Sequence, residues 1–186
     1  MNSKFLSEYI KSIRSVGAVA PSSRFLARKM VESIDFKQAK VIIEYGPGTG
    51  VFTDELVKYM NPRAKLLIIE TNDAFCKILM AKYKNAKNVE VINASAEHVD
   101  IFRRQRSLPN PDYIVSGLPF AALPKDVSEK ILIATAKLLG KKGEFITFQY
   151  TMLKKSLFAH YFIDIHVSRE LRNIPPAYVL RCRNSS

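Results

Sequence analysis

Two acids and a run of three glycines carry the most specific chemistry in this 186-residue sequence. Glu44 stands just before Tyr45-Gly46-Pro47-Gly48-Thr49-Gly50, and Glu70 closes the apolar run Leu66-Leu67-Ile68-Ile69. Glycines at alternate positions let the backbone take positive φ angles and leave no side chain between a turn and its ligand. The helix that begins at Val51-Phe52-Thr53 adds free N–H groups. An ionised carboxylate only accepts hydrogen bonds and holds two hydroxyl donors at once. The pattern predicts a nucleoside cradle. The competing reading of the same glycines is a tight connection with no ligand. A dinucleotide fingerprint would put its third glycine three residues after the second, where this chain has Val51.

The elements that must position these residues can be read from periodicity. Apolar strands at Val41–Ile43, Leu66–Glu70, Val89–Asn93, Tyr113–Val115 and Glu144–Tyr150 alternate with helical stretches at Asp54–Met60, Asp73–Tyr83 and Lys125–Leu139. The helix from Asp73 should turn Phe75, Ile78 and Leu79 to the core. Arg103–Pro111 reads as a surface loop. Alternating strands and helices imply an α/β fold with a doubly wound, mostly parallel seven-stranded sheet, ligands lying at the carboxyl ends of the strands. Phe162–Val167 and Tyr178–Cys182 should add an antiparallel hairpin, joined by Arg172-Asn173-Ile174-Pro175-Pro176.

Residues 4–14 put Phe5, Leu6, Tyr9, Ile10 and Ile13 on one side of a helical wheel and Lys4, Glu8, Lys11 and Arg14 on the other. Such a helix packs on the domain or lies in a lipid interface. The apolar stretch Val16–Ala27 suits a lid over the cradle. In it, Ser22 or Ser23 caps a helix carrying Leu26, Met30 and Val31, and Arg24 meets a carboxylate or phosphate or simply faces solvent. Residues 1–35 are thus expected to form the helix and lid segment and 36–186 the main domain, the whole making a single compact domain.

The net charge of +12 points to a polyanionic partner, either nucleic acid or an anionic membrane surface. No apolar run approaches 18 residues and the N-terminus lacks the apolar core of a signal peptide, so a cytoplasmic protein is expected. Cys76 and Cys182 match no metal spacing, and no metal is expected. His98, His160 and His166 carry no spacing signal and read as structural or exposed.

The turn Glu44–Gly50 with Glu70 resembles the class I S-adenosylmethionine-dependent methyltransferases. That resemblance implies S-adenosylmethionine as cofactor, with Glu44 near its methionine end, Gly46, Gly48 and Gly50 beneath it, Glu70 and Thr71 at its ribose, Ser95 and Ala96 at its adenine, and Ser116 beside its methyl group. Methyl transfer is an in-line displacement, so a neutral amine must be aligned and water excluded. Ser116 could hold that amine, Phe120 could present its ring to a base or an ammonium, and Tyr150 or water could accept the proton. The alternative is that Pro119 and Phe120 end the strand and fill core.

Ser116-Gly117-Leu118-Pro119-Phe120 is similar to the Asn-Leu-Pro-Tyr motif of adenine N6-methyltransferases, including the ribosomal RNA adenine dimethylases, but Gly117 replaces the amide that orients the adenine amine. Over nearly its whole length the chain more closely resembles the soluble, peripherally bound bacterial phospholipid N-methyltransferases. The shared features are the N-terminal helix, Gly17–Ser23, Glu44–Gly50, Glu70, Ser116–Pro119, Gln149-Tyr150-Thr151 and Arg172–Ala177. The chain departs in Phe120-Ala121-Ala122 and in a short tail without tryptophan. The family implies methylation of a phosphatidylethanolamine-like amine at the inner face of the membrane, with Tyr9, Arg24, Gly117, Leu118, Pro119, Phe120 and Asn173 around the substrate. An RNA adenine methyltransferase and a non-catalytic cofactor-binding module are the alternatives.

Overall fold

A computed structural model describes residues 23–152 and 155–184. The amphipathic stretch 4–14 with Tyr9, and the lid segment up to Ser22, lie outside the described residues. In chain order the elements are α1 (Arg24–Val31), β1 (Val41–Tyr45), α2 (Val51–Tyr59), β2 (Lys65–Glu70), α3 (Asp73–Lys82), β3 (Val89–Asn93), a 3-10 turn (Ala96–His98), α4 (Val99–Gln105), β4 (Tyr113–Ser116), α5 (Lys125–Leu139), β5 (Glu144–Gln149), α6 (Lys155–Ala159), β6 (Asp164–Glu170) and β7 (Ala177–Arg183).

The central strands read as near-continuous apolar runs because both faces of the sheet are covered. Its order is β3-β2-β1-β4-β5-β7-β6. The first five strands are parallel, while β7 runs antiparallel between β5 and β6. One face packs Leu26 and Met30 of α1, Leu56 of α2 and Leu79 of α3 against Ile42, Ile68, Val115 and Ile146. The other packs Val99, Val127, Ile131 and Phe158 against Ile43, Ile69, Ile114 and Phe145. The chain crosses from one side of the sheet to the other at β1 and β4, which opens the ligand crevice at their carboxyl ends.

Two local expectations change. In α3 the core-facing residues are Cys76 and Leu79, with Ile78 50% exposed, because Ile78 lies off the arc that Cys76 and Leu79 share. The stretch expected as a loop from Arg103 is helical to Gln105, and Arg103 is held by Asp100 Oδ1 (3.0 Å) and the carbonyl of Leu108 (2.6 Å). Basic residues there stabilise the last helical turn, and the prolines act only further on. The helix expected after Ser23 is α1, capped by the Ser23 hydroxyl, with Leu26, Ala27, Met30 and Val31 all buried.

Candidate active site

The glycine turn leaves β1 with left-handed backbone at Gly46 (φ 59°), Gly48 (φ 60°) and Gly50 (φ 88°). Gly50 caps α2, so a side chain there would be strained. The Gly46 amide donates to the Ile69 carbonyl (2.9 Å) and the Gly117 amide to the Tyr45 carbonyl (2.8 Å), which draws the turns after β1, β2 and β4 into one floor.

Both predicted acids lie at this floor. Glu44 is fully buried, accepts the Thr53 hydroxyl at Oε2 (2.7 Å), and leaves Oε1 buried with no partner among the described residues. Burial pushes its carboxyl up to about 8, against the lowering effect of Thr53 and with help from the nearby Glu70 and Asp54 charges. Glu70 accepts the amides of Gly48 (3.2 Å) and Asn72 (2.9 Å), one on each oxygen, which fixes the carboxylate and leaves lone pairs open. Thr71 is half-buried beside it. An orphaned buried carboxyl oxygen beside a left-handed glycine cradle fits a bound cation with a sugar attached, as S-adenosylmethionine requires. Ala96 is buried at the 3-10 turn, and Ser95 caps that turn, accepting from the Glu97 amide (3.3 Å) and donating to Glu97 Oε1 (3.0 Å). The Ser95 hydroxyl is therefore committed to Glu97, a carboxylate that sequence reasoning passed over at this turn.

The residues expected to touch the acceptor divide. Phe120 is 1% exposed and sits edge-on to Phe145 and Phe158 at 6.0 and 5.5 Å, so its ring fills core and presents no face to a substrate. Leu118 is buried as well, its Cδ2 only 2.6 Å from where a Cβ on Gly46 would lie. Ser116 is buried and committed to its own turn: its hydroxyl accepts from the Leu118 amide (3.2 Å) and its carbonyl from Thr147 Oγ1 (3.3 Å). Phe120 and Leu118 are packed into the core, which corrects their expected roles as substrate contacts, while Ser116, expected beside the cofactor's methyl group, lies buried at the end of β4. Pro119 is half-buried, and its carbonyl accepts from the Ala122 (2.8 Å) and Leu123 (3.0 Å) amides.

Gly117 sits against the glycine turn. A Cβ added there would meet the Gly46 carbonyl oxygen at 2.6 Å and the Phe52 ring at 3.5 Å, so no larger residue fits without moving backbone. From Phe52 an aromatic series runs outward through Phe148 (5.8 Å, edge-on) to Tyr150 (5.4 Å, edge-on). Burial raises the Tyr150 phenol above its ordinary value, with the Asn173 side chain opposing, so it stays protonated at neutral pH. Tyr150 is half-buried at the outer end of this series. Asn173 is buried and clamps two segments: its Oδ1 accepts the Ser23 amide (3.1 Å) and its Nδ2 donates to the Pro175 carbonyl (2.7 Å). Asn173 therefore shapes the acceptor end without offering it a free group. Arg24 is exposed, its guanidinium 5.9 Å from the Phe25 ring. His160 and His166 are exposed, and His98 sits in the 3-10 turn. Among the described residues no cluster of His, Cys, Asp or Glu could hold a metal ion.

Residues 22–163 match the family described as ribosomal RNA adenine dimethylase. The chain belongs to the ribosomal RNA adenine dimethylase family. Family and fold make it an S-adenosylmethionine-dependent methyltransferase. An ornithine lipid N-methyltransferase from Singulisphaera acidiphila is 28% identical over 96% of this chain and 94% of its own length. A probable ribosomal RNA small subunit methyltransferase A from Pyrococcus furiosus is 31% identical over 75% of this chain but only 52% of its own length. The chain thus spans about half of that RNA-modifying relative. Among solved structures, an S-adenosylmethionine-dependent O-methyltransferase from Thermotoga maritima superposes with a TM-score of 0.67 at 15% identity, covering 96% of this chain and 71% of that one. An N-methyltransferase from Bradyrhizobium japonicum gives 0.66 at 11% identity over 88% and 94%. Both show the Rossmann-like methyltransferase fold.

Thr53, Phe52 and Phe148 were missed by sequence reasoning. Each belongs to a regular helix or strand, and only the packing of α2 on the sheet brings them to the turn.

Proposed function

We propose that this methyltransferase acts on the head-group amine of a membrane lipid, phosphatidylethanolamine-like, at the membrane surface. The observation that carries this reading is Gly117 pressed on the Gly46 carbonyl, which leaves no space for the amide that adenine N6-methyltransferases use to hold their base. The near full-length similarity to a lipid N-methyltransferase supports it, as does a charge of +12 suited to anionic lipid.

Bound in the cradle, S-adenosylmethionine supplies a sulfonium methyl open to in-line attack by a lone pair. With the cofactor bound, Glu44 would meet its ammonium, which would favour the ionised carboxyl, and Glu70 would hold its ribose hydroxyls. Tyr150, half-buried and backed by the buried rings of Phe148 and Phe52, lines the acceptor end and helps exclude water from the amine. The amine sheds its proton to Tyr150 or to water before attack.

The second reading, methylation of an adenine in RNA, is favoured by family membership and basic charge. Incubating the protein and methyl-labelled cofactor with phosphatidylethanolamine vesicles, and separately with ribosomal RNA, decides between them. Label in the lipid fraction is expected; label in RNA alone overturns the lipid reading.

A further inference from the structure

We infer that the connection between β6 and β7, together with the start of α1, is the corner by which the protein seats its acceptor mouth on an anionic lipid surface. This rests on the lipid reading above. Because β6 ends where antiparallel β7 begins, and β7 begins beside the end of β5, this connection lies at the carboxyl edge of the parallel strands. That is the edge at which the glycine turn and Tyr150 also lie.

The connection shows two large apolar side chains to solvent within four positions: Leu171 is 65% exposed and Ile174 84% exposed. Isolated exposed aliphatic residues are common, but here the turn is braced to hold them outward. Glu170, buried beneath, accepts both the amide and the guanidinium of Arg172 (2.9, 2.8 and 2.8 Å), which holds its carboxyl down at about 2. Asn173 ties the turn to the Ser23 amide, and the Arg172 guanidinium lies 4.6 Å over the Phe25 ring. The turn and α1 therefore move as one body.

The charge around it fits one partner. Glu170 offsets Arg172, but Arg24 and Arg169 are exposed and no described carboxylate forms an ion pair with either. Cations around a protruding aliphatic pair match an anionic lipid interface, where apolar groups enter the acyl boundary and cations meet phosphates. Docked by this corner, the protein brings the Tyr150 and Asn173 end of the site to the head-group layer.

The test uses the full chain and vesicles of phosphatidylglycerol and phosphatidylethanolamine in equal parts. Leu171→Ser with Ile174→Ser is expected to weaken vesicle partition by about tenfold or more, with melting temperature and cofactor affinity unchanged. Ile163→Ser is the matched control: it is 79% exposed at the opposite edge of the sheet, where β6 begins, and should leave partition unchanged. The chain has no tryptophan, so Ile174→Trp introduces a sole indole whose emission should shift to the blue on vesicles and be quenched by brominated acyl chains. Wild-type partition in the double variant, an equal loss in Ile163→Ser, or an indole that ignores vesicles overturns the inference. A protein that labels lipid amines while its partition ignores Leu171 and Ile174 overturns this inference alone. One that labels only RNA and does not bind vesicles overturns both.

Discussion

Two buried glutamates at opposite strand ends of the same sheet have opposite fates. At the amino end of β5, Glu144 accepts from Arg181 Nε (2.9 Å), Arg183 Nε (2.6 Å) and Ser33 Oγ (3.0 Å). Burial alone would raise its carboxyl, yet those donors bring it below the ordinary value. At the carboxyl end of β1, Glu44 has one hydroxyl donor, an empty oxygen and a carboxyl raised to about 8. The protein satisfies the first carboxylate from its own residues and gives the second a single donor. A buried acid left incomplete is a marker of where a ligand belongs, whereas the densest salt-bridge cluster marks only structure.

The largest effect should come from breaking the completed site. Glu144→Gln is expected to cost about 2–3 kcal/mol, below the range for a fully buried pair because Arg181 and Arg183 reach solvent. Chemical denaturation measures it, and cofactor affinity should not change. Glu70→Ala should reverse that order, lowering cofactor affinity about 100-fold by calorimetry. It should cost only about 1–2 kcal/mol of stability, for the stranded Gly48 and Asn72 amides. Unchanged affinity in Glu70→Ala would remove the ribose contact.

A pH titration of stability sharpens the contrast. Glu44 has a folded value near 8 against an ordinary 4.5, so between these the unfolded chain has released a proton that the folded one retains. Its contribution to ligand-free stability therefore falls as pH rises from 4.5 to about 8. Glu144, lowered in the fold, contributes above its unfolded value and loses that contribution as pH falls through its depressed folded value. Glu44→Gln should flatten the neutral part of the profile and Glu144→Gln the acid part. A saturating cofactor should also flatten the wild-type neutral slope, because an ammonium at Glu44 favours its ionised form. The smallest effect is expected at Tyr150→Phe, where kcat should fall less than about tenfold with its pH profile unmoved, since the phenol is already protonated.

The cofactor half was legible because its signals are local. Glu44, Gly46, Gly48, Gly50 and Glu70 are fixed by the βαβ connection itself, where backbone geometry dictates residue type. The strand order, α5 and the antiparallel pair could be read for the same reason. The acceptor half was misread at Phe120 and Leu118 because sequence gives the end of a strand but not which way its next side chains turn. Phe120 turns inward onto Phe145 and Phe158, residues distant in the chain, and no periodicity in its own segment announces that. The resemblance that names Asn173 was informative about where the residue lies but not about what it does there, since it serves as a clamp between segments 150 positions apart.

The position of β7 has a consequence for how the chain is made. The five parallel strands emerge in order, but β5 cannot acquire its second neighbour until Ala177–Arg183 follows, past β6 in sequence. During synthesis the outer edge of β5, Glu144–Gln149, would present unpaired backbone N–H and C=O groups to any passing strand. Chains stopped before Ala177 should accumulate as aggregates through that edge.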